Sequence, residues 1–242
     1  WLFSWMSAQT ALREVVVKIM KILPAAIQQK AARDALMLLD PGGAMALALT
    51  HPLLTVPILL WAILIPVRHL AGEQERGLLD VILAKPFTRL QWIAALVLWQ
   101  VGGLLVLSLA VGASFARAIG HFPPLENVNG WSLLYMTLAQ AAWGFAIGGF
   151  TAIIAARWGR FRLTLGVAIA FVLTNLLWEV ICRTIGTLKP YIVLSLWHWS
   201  EPRSLYLVRE STVINWLVLL GFGLVSWLVA LRIFQRHDLG AK

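Results

Sequence analysis

Five stretches of this chain are long, apolar and nearly free of charge, and they limit it to very few folds. Residues 90–116, 131–156 and 213–231 carry no charged side chain; 44–67 holds only His51 as a titratable group, and 163–181 only Glu179. At about 1.5 Å per residue, some 20 apolar residues cross a hydrocarbon layer about 30 Å thick. None of the five alternates with a period of two, as strands of a membrane barrel would. The expected class is therefore all-α, a polytopic membrane helix bundle forming one domain over residues 1–242. Composition agrees: 60% of residues are hydrophobic and 13% charged, against about 45–50% and 25% in soluble domains. A soluble enzyme, a disordered chain and a coiled coil are excluded. One cysteine, Cys182, leaves no internal disulfide and no CxxC pair. The five histidines are scattered without metal-ligand spacing, and neither HExxH nor GxSxG occurs. No metal site and no catalytic residue is expected.

The scarce charges predict orientation. Residues 68–89 hold Arg68, Arg76, Lys85 and Arg89; the short link 157–162 holds Arg157, Arg160 and Arg162; the tail 232–242 holds Arg232, Arg236 and Lys242. If the spans alternate, these lie on one side, and short basic links near helix ends mark the cytoplasmic face. The C-terminus is then cytoplasmic and the protein a multi-pass resident of the cytoplasmic membrane. The net charge of +9 becomes partly a topology signal, and no nucleic-acid partner is expected. The chain opens within an apolar run, Trp1-Leu2-Phe3-Ser4-Trp5-Met6. That stub reads as the outer end of an earlier span, six in the complete protein. In 1–43, Leu12, Val15, Val16, Ile19, Ile22 and Leu23 face away from Arg13, Glu14, Lys18 and Lys21 at helical spacing, which predicts outer amphipathic helices.

The segment between residues 67 and 90 carries the most information. Over residues 72–86, Leu78, Leu79, Ile82 and Leu83 share one helical face, acids gather near the start, Lys85 lies near the end and Pro86 stops the helix. It is too short and polar to span. It reads as a helix lying on lipid or as a docking helix steered by its charges. Gly72-Glu73-Gln74-Glu75-Arg76-Gly77-Leu78-Leu79-Asp80, followed by Leu83-Ala84-Lys85-Pro86-Phe87-Thr88-Arg89, resembles the segment after the second span in permeases of the type-two exporter family of ATP-binding-cassette (ABC) transporters. Leu78, Asp80 and Ile82 stand where that family more often has Thr, Glu and Leu. The ending Phe234-Gln235-Arg236-His237-Asp238-Leu239 is also similar to the family's. The resemblance implies a transmembrane permease subunit of an ATP-driven exporter. It would work with a second, identical permease chain and two ABC ATPase subunits. It implies a cytoplasmic coupling helix in 72–86, with Glu73, Glu75, Arg76, Leu79, Asp80 and Leu83 as ATPase-coupling residues. The chain has no phosphate loop of the form GxxxxGK[ST]. No cofactor is expected in this chain, and ATP and Mg would reside in the partner ATPase. The alternatives are a non-transporting assembly or scaffold subunit and a secondary transporter driven by an ion gradient.

Inside the spans, Glu179 and Arg183 are four residues apart and predict an ion pair on one helix face. Gln100, Gln140 and Asn175 either line a substrate path or hydrogen-bond neighbouring helices. Gly144-Phe145-Ala146-Ile147-Gly148 permits close helix approach, and Pro52, Pro57 and Pro66 predict bending of the span at 44–67. Trp197, Trp199 and Tyr206 suggest that the outer segment 182–212 lies on the membrane surface as an aromatic belt, with re-entrant helices the alternative.

Overall fold

A computed structural model describes residues 18, 46, 48–83, 88–119, 130–200 and 212–236. The described residues are 94% helical, with no strand. Five helices are long and apolar enough to cross a membrane: α1 (Pro52–Glu75), α3 (Arg89–Ile119), α4 (Gly130–Trp158), α5 (Phe161–Thr184) and α7 (Thr212–Arg236). Among the described residues two short helices lie between them, α2 (Leu78–Leu83) between α1 and α3, and α6 (Leu196–Ser200) between α5 and α7. The chain is thus a multi-pass membrane protein. The expected outer helices within 1–43 lie outside the described residues, Lys18 and its helical backbone apart.

Each long helix corresponds to one of the apolar stretches, and the largest departure is at α1. The apolar run starting at residue 44 is broken at Thr50–His51, where the backbone turns. The His51 ring then accepts a hydrogen bond from Leu53 N, and Pro52 takes the first helical position, where its missing N–H costs nothing. At the other end Pro66 withdraws another N–H from the ladder, and Val67–Gly72 widens into a π-helical turn. The helix then runs on through Glu73–Glu75 and breaks at Arg76–Gly77, with Gly77 at φ +69°. Glu73–Glu75 is accordingly a polar extension of α1, and the separate short helix is confined to Leu78–Leu83.

Helix α4 is the hub. Its central window is 83% buried, against 28% for both α3 and α5, and it packs on α1, α3, α5 and α7. Small side chains make that possible. The Gly148 α-carbon lies under the Gln100 side chain of α3, and a Cβ at Gly144 would stand 2.7 Å from Leu104 and 3.0 Å from Ile58. The GxxxG face is therefore filled by α3 and α1 of the same chain. On the opposite side a Cβ at Gly149 would stand 2.8 Å from the Gly223 carbonyl of α7. Phe150 stacks on Phe171 of α5 with ring centroids 3.8 Å apart.

Three basic segments gather at one end of the bundle. The Arg89 guanidinium at the start of α3 donates to the Phe234 and Gln235 carbonyls at the end of α7, at 2.8 and 2.9 Å, and lies over the Phe234 ring. The start of α5 is tied to the end of α1 through Glu75. This arginine-rich end and the opposite end, where α6 lies, carry the two polar constellations of the molecule.

Candidate functional site

At the arginine-rich end, the extension of α1 is bolted to the turn between α4 and α5. Helix α5 opens at Phe161, and its preceding residue, Arg160, supplies no side-chain cap. Four N–H groups at a helix start lack partners within the helix. The Glu75 carboxylate meets one of them, with Phe161 N donating to Glu75 Oε2 at 2.7 Å. An acid there also suits the positive end of the helix dipole. Gly159 adopts φ +56°, and the Gln74 side chain lies against it so closely that a Cβ would stand 2.5 Å from Gln74 Cδ. Gly72 faces the Phe161 ring in the same way. One turn earlier, His69 Nδ1 and Glu73 Oε1 are 2.8 Å apart.

The proposed coupling residues therefore divide. Glu73 and Glu75 are engaged within the chain. Leu79 is buried and packs with Leu70, Ile93, Ala156 and Phe234 in the bundle's own core. Arg76, Leu78 and Val81 are exposed. The side chains of Asp80 and Leu83 lie outside the described residues. Thr88 and Gln91 start α3 with a reciprocal capping box: Gln91 N donates to Thr88 Oγ1 and Thr88 N to Gln91 Oε1. The Thr-x-x-Gln spacing at 88–91 was the signal for it. The Gly in the basic link was the signal for the Gly159 turn.

The second constellation surrounds α6. After α5 a 3₁₀ stretch, Gly186–Leu194, leads back into the bundle. Gln140 lies ten residues inside α4 and its Nε2 donates to the Ser200 carbonyl at 3.1 Å, which places the end of α6 about 15 Å below the start of α4. Trp197 packs edge-on against the buried Trp143, 4.8 Å between centroids. Helix α6 thus packs against the bundle, and Trp197 is a bundle contact; Tyr206 lies outside the described residues. Backbone outside a long helix that packs here needs protein partners for its polar groups, and it has them. Asn175 Oδ1 accepts from Leu196 N at 2.9 Å, the Asn175 carbonyl accepts from Ser195 Oγ at 3.3 Å, Trp178 Nε1 donates to the Tyr191 carbonyl at 3.0 Å, and Trp199 Nε1 donates to the Val193 carbonyl at 2.8 Å.

Glu179 closes this cluster. It is 3% exposed, and its Oε1 accepts from Arg183 Nε and Nη2 at 2.9 and 2.8 Å. His198 Nδ1 of α6 lies 3.8 Å from the same oxygen. Glu179, Arg183, Asn175 and Gln140 are therefore brought together around α6, whereas Gln100 is apart. Its Nε2 reaches toward the Gly144 carbonyl at 3.4 Å, and its own carbonyl accepts from Trp61 Nε1. His198 and Trp178 were not identifiable from spacing, because their partners are 13 or more residues away.

Between α3, α4 and α7 lies an apolar cavity of about 250 Å³, lined by Leu104, Leu138, Ala142, Phe145, Trp216 and Leu220 among others. It shares no lining residue with either polar constellation. Comparison with protein-family models, with curated proteins and with solved structures gives no match.

Proposed function

We propose that this chain is the transmembrane permease subunit of an ATP-driven ABC exporter in the cytoplasmic membrane, its arginine-rich end facing the cytoplasm. It works as a homodimer with two separate ATPase subunits that bind ATP and Mg. One observation carries the reading. A short helix, α2, hangs between two spans at the basic end on a glycine hinge, Gly77 at φ +69°, in the segment that resembles the family's coupling region. Its buried Leu79 ties α2 to the bundle, while Arg76, Leu78 and Val81 face outward. An apolar strip beside a cation is the surface a helix offers to a groove in a partner.

In this mechanism ATP binding draws the two ATPases together, α2 in each permease moves with them, and the spans shift between inward- and outward-accessible states. The energy comes from differential contact of the ATPase with the two states, as any ligand-driven shift requires. The test is affinity purification of the tagged chain from its native membrane. The expected result is co-purification of an ATPase bearing a phosphate loop, lost in the Leu78→Glu, Val81→Glu double variant. Recovery of the chain without any ATPase would refute the exporter reading and favour a scaffold.

A further inference from the structure

We propose that Glu75 is a positioning residue that passes the movement of α2 to α5, which makes α5 the driven helix of the bundle. The inference rests on the exporter reading and adds which helix moves and through which side chain.

The joint has three parts. The Glu75 carboxylate holds Phe161 N at 2.7 Å. Gln74 lies against Gly159 and Gly72 against the Phe161 ring, so the extension of α1 and the start of α5 form one packed body. His69, 2.8 Å from Glu73, braces that extension from the π-helical turn behind it. Only Arg76 and Gly77 separate this body from α2, and a Cβ at Gly77 would meet nothing within 4 Å. A pull on α2 is therefore delivered through two residues to a side chain that grips the first turn of α5.

Packing allows α5 to yield, and Glu75 selects it. The hub segment of α4 is 83% buried and that of α5 28%, the same share as in α3, so tilting α5 disrupts far less packed surface than tilting α4, and of the loosely packed helices α5 is the one whose first turn Glu75 holds. The far end of α5 is not idle either. Asn175, Trp178 and Glu179 hold residues 191–198 there. A displacement entering at Phe161 leaves at α6 through a continuous 24-residue helix. A positioning role and a direct ATPase contact by Glu75 make opposite predictions for one substitution. A glutamine keeps an amide oxygen that accepts the Phe161 N–H but removes the charge.

The experiment uses the full chain with its co-purifying ATPase in lipid nanodiscs, Cys182 replaced by Ala, and spin labels at Val180→Cys on α5 and Leu217→Cys on α7. Both positions are exposed, at 59% and 68%. The distance between labels is read without nucleotide and after trapping with ATP and vanadate. In the Glu75 background we expect a nucleotide-driven distance change. In Glu75→Ala we expect that change to fall by more than half, with ATPase binding and turnover retained. Glu75→Gln should restore most of it. Hydrogen exchange at the Phe161 amide should speed up several-fold in Glu75→Ala while the helical circular dichroism is kept, which shows that the cap is lost and the fold is not. A full distance change in Glu75→Ala overturns the proposal. So does Glu75→Gln failing together with loss of ATPase binding, which makes Glu75 a docking charge. A Glu75 chain that binds its ATPase and shows no movement of α5 overturns this inference alone, and one that binds no ATPase overturns the exporter reading beneath it.

Discussion

Gly149→Ala tests the architecture most directly, because it adds one methyl where α4 and α7 meet backbone to backbone. The new Cβ would stand 2.8 Å from the Gly223 carbonyl oxygen, 2.9 Å from Ser226 Cβ and 3.2 Å from Trp227 Cδ1. Carbon atoms rest about 3.5–4.0 Å apart, so α7 must retreat by roughly 0.6–1 Å along that line. A carbonyl belonging to a helix cannot rotate away as a side-chain tip can. Overpacking of this kind costs about 1–3 kcal/mol. The alanine recovers at most about 1 kcal/mol through better helix propensity. The net expectation is a loss of about 1–2 kcal/mol, which is roughly a fivefold to thirtyfold shift of the folding equilibrium at 1.4 kcal/mol per decade. Gly102, Gly166 and Gly221 provide the control, since a Cβ at each would meet nothing within 4 Å. Alanine at those positions should be neutral or stabilising by up to about 1 kcal/mol. The assay is equilibrium unfolding by sodium dodecyl sulfate in mixed micelles, followed by far-ultraviolet circular dichroism. A Gly149→Ala variant as stable as its parent, or an equal loss at Gly102, would refute the α4–α7 packing.

Three further outcomes follow from the same contacts. Arg183→Gln should destabilise more than Glu179→Gln, since it strands a carboxylate that is 3% exposed while the guanidinium side chain is 40% exposed; the expected costs are about 2–4 and 1–2 kcal/mol, and equal losses in the same unfolding assay would count against the burial asymmetry. Asn175→Leu removes the acceptor for Leu196 N and should free α6, read as faster labelling of a cysteine placed at Trp199 from the side opposite the arginines, with overall stability lowered by about 1–2 kcal/mol; unchanged labelling would mean that α6 is held by other contacts. Arg89→Lys keeps the charge but loses the planar guanidinium whose Nη1 donates to two carbonyls of α7 and which lies over the Phe234 ring. It should cost about 1 kcal/mol and raise hydrogen exchange in the last turn of α7, whereas Arg89→Lys indistinguishable from its parent would show that charge alone holds that end.

Much of this molecule is legible in one dimension. Charge-free runs such as 90–116 and 131–156 must become helices, because a bilayer offers their backbone groups no other partner. The i, i+4 spacing of Glu179 and Arg183 likewise names a pair that the structure forms. The separate break of α2 from α1 was less legible. Acidic residues at 73 and 75 look like the start of a new helix, yet the π-helical turn after Pro66 carries α1 past them and the break falls at Gly77.

Only the tertiary structure decided what the polar residues do, and the reason is sequence distance. Glu75 meets Phe161 across 86 positions, Arg89 meets Phe234 across 145, and Gln140 meets Ser200 across 60. No periodicity links such positions. A local pattern tells which face of a helix is apolar, not which backbone group will need a polar partner once a short segment or a helix end is packed against the bundle. The sequence by itself determined that this chain crosses a membrane on helices and where its basic links lie. The fold determined that Gln140 and Asn175 sustain a buried backbone, that Leu79 anchors α2, and that Glu75 grips α5. The first follows from the need of buried N–H and C=O groups for a protein partner, the second from burial of an apolar side chain, and the third from the unpaired N–H groups at a helix start.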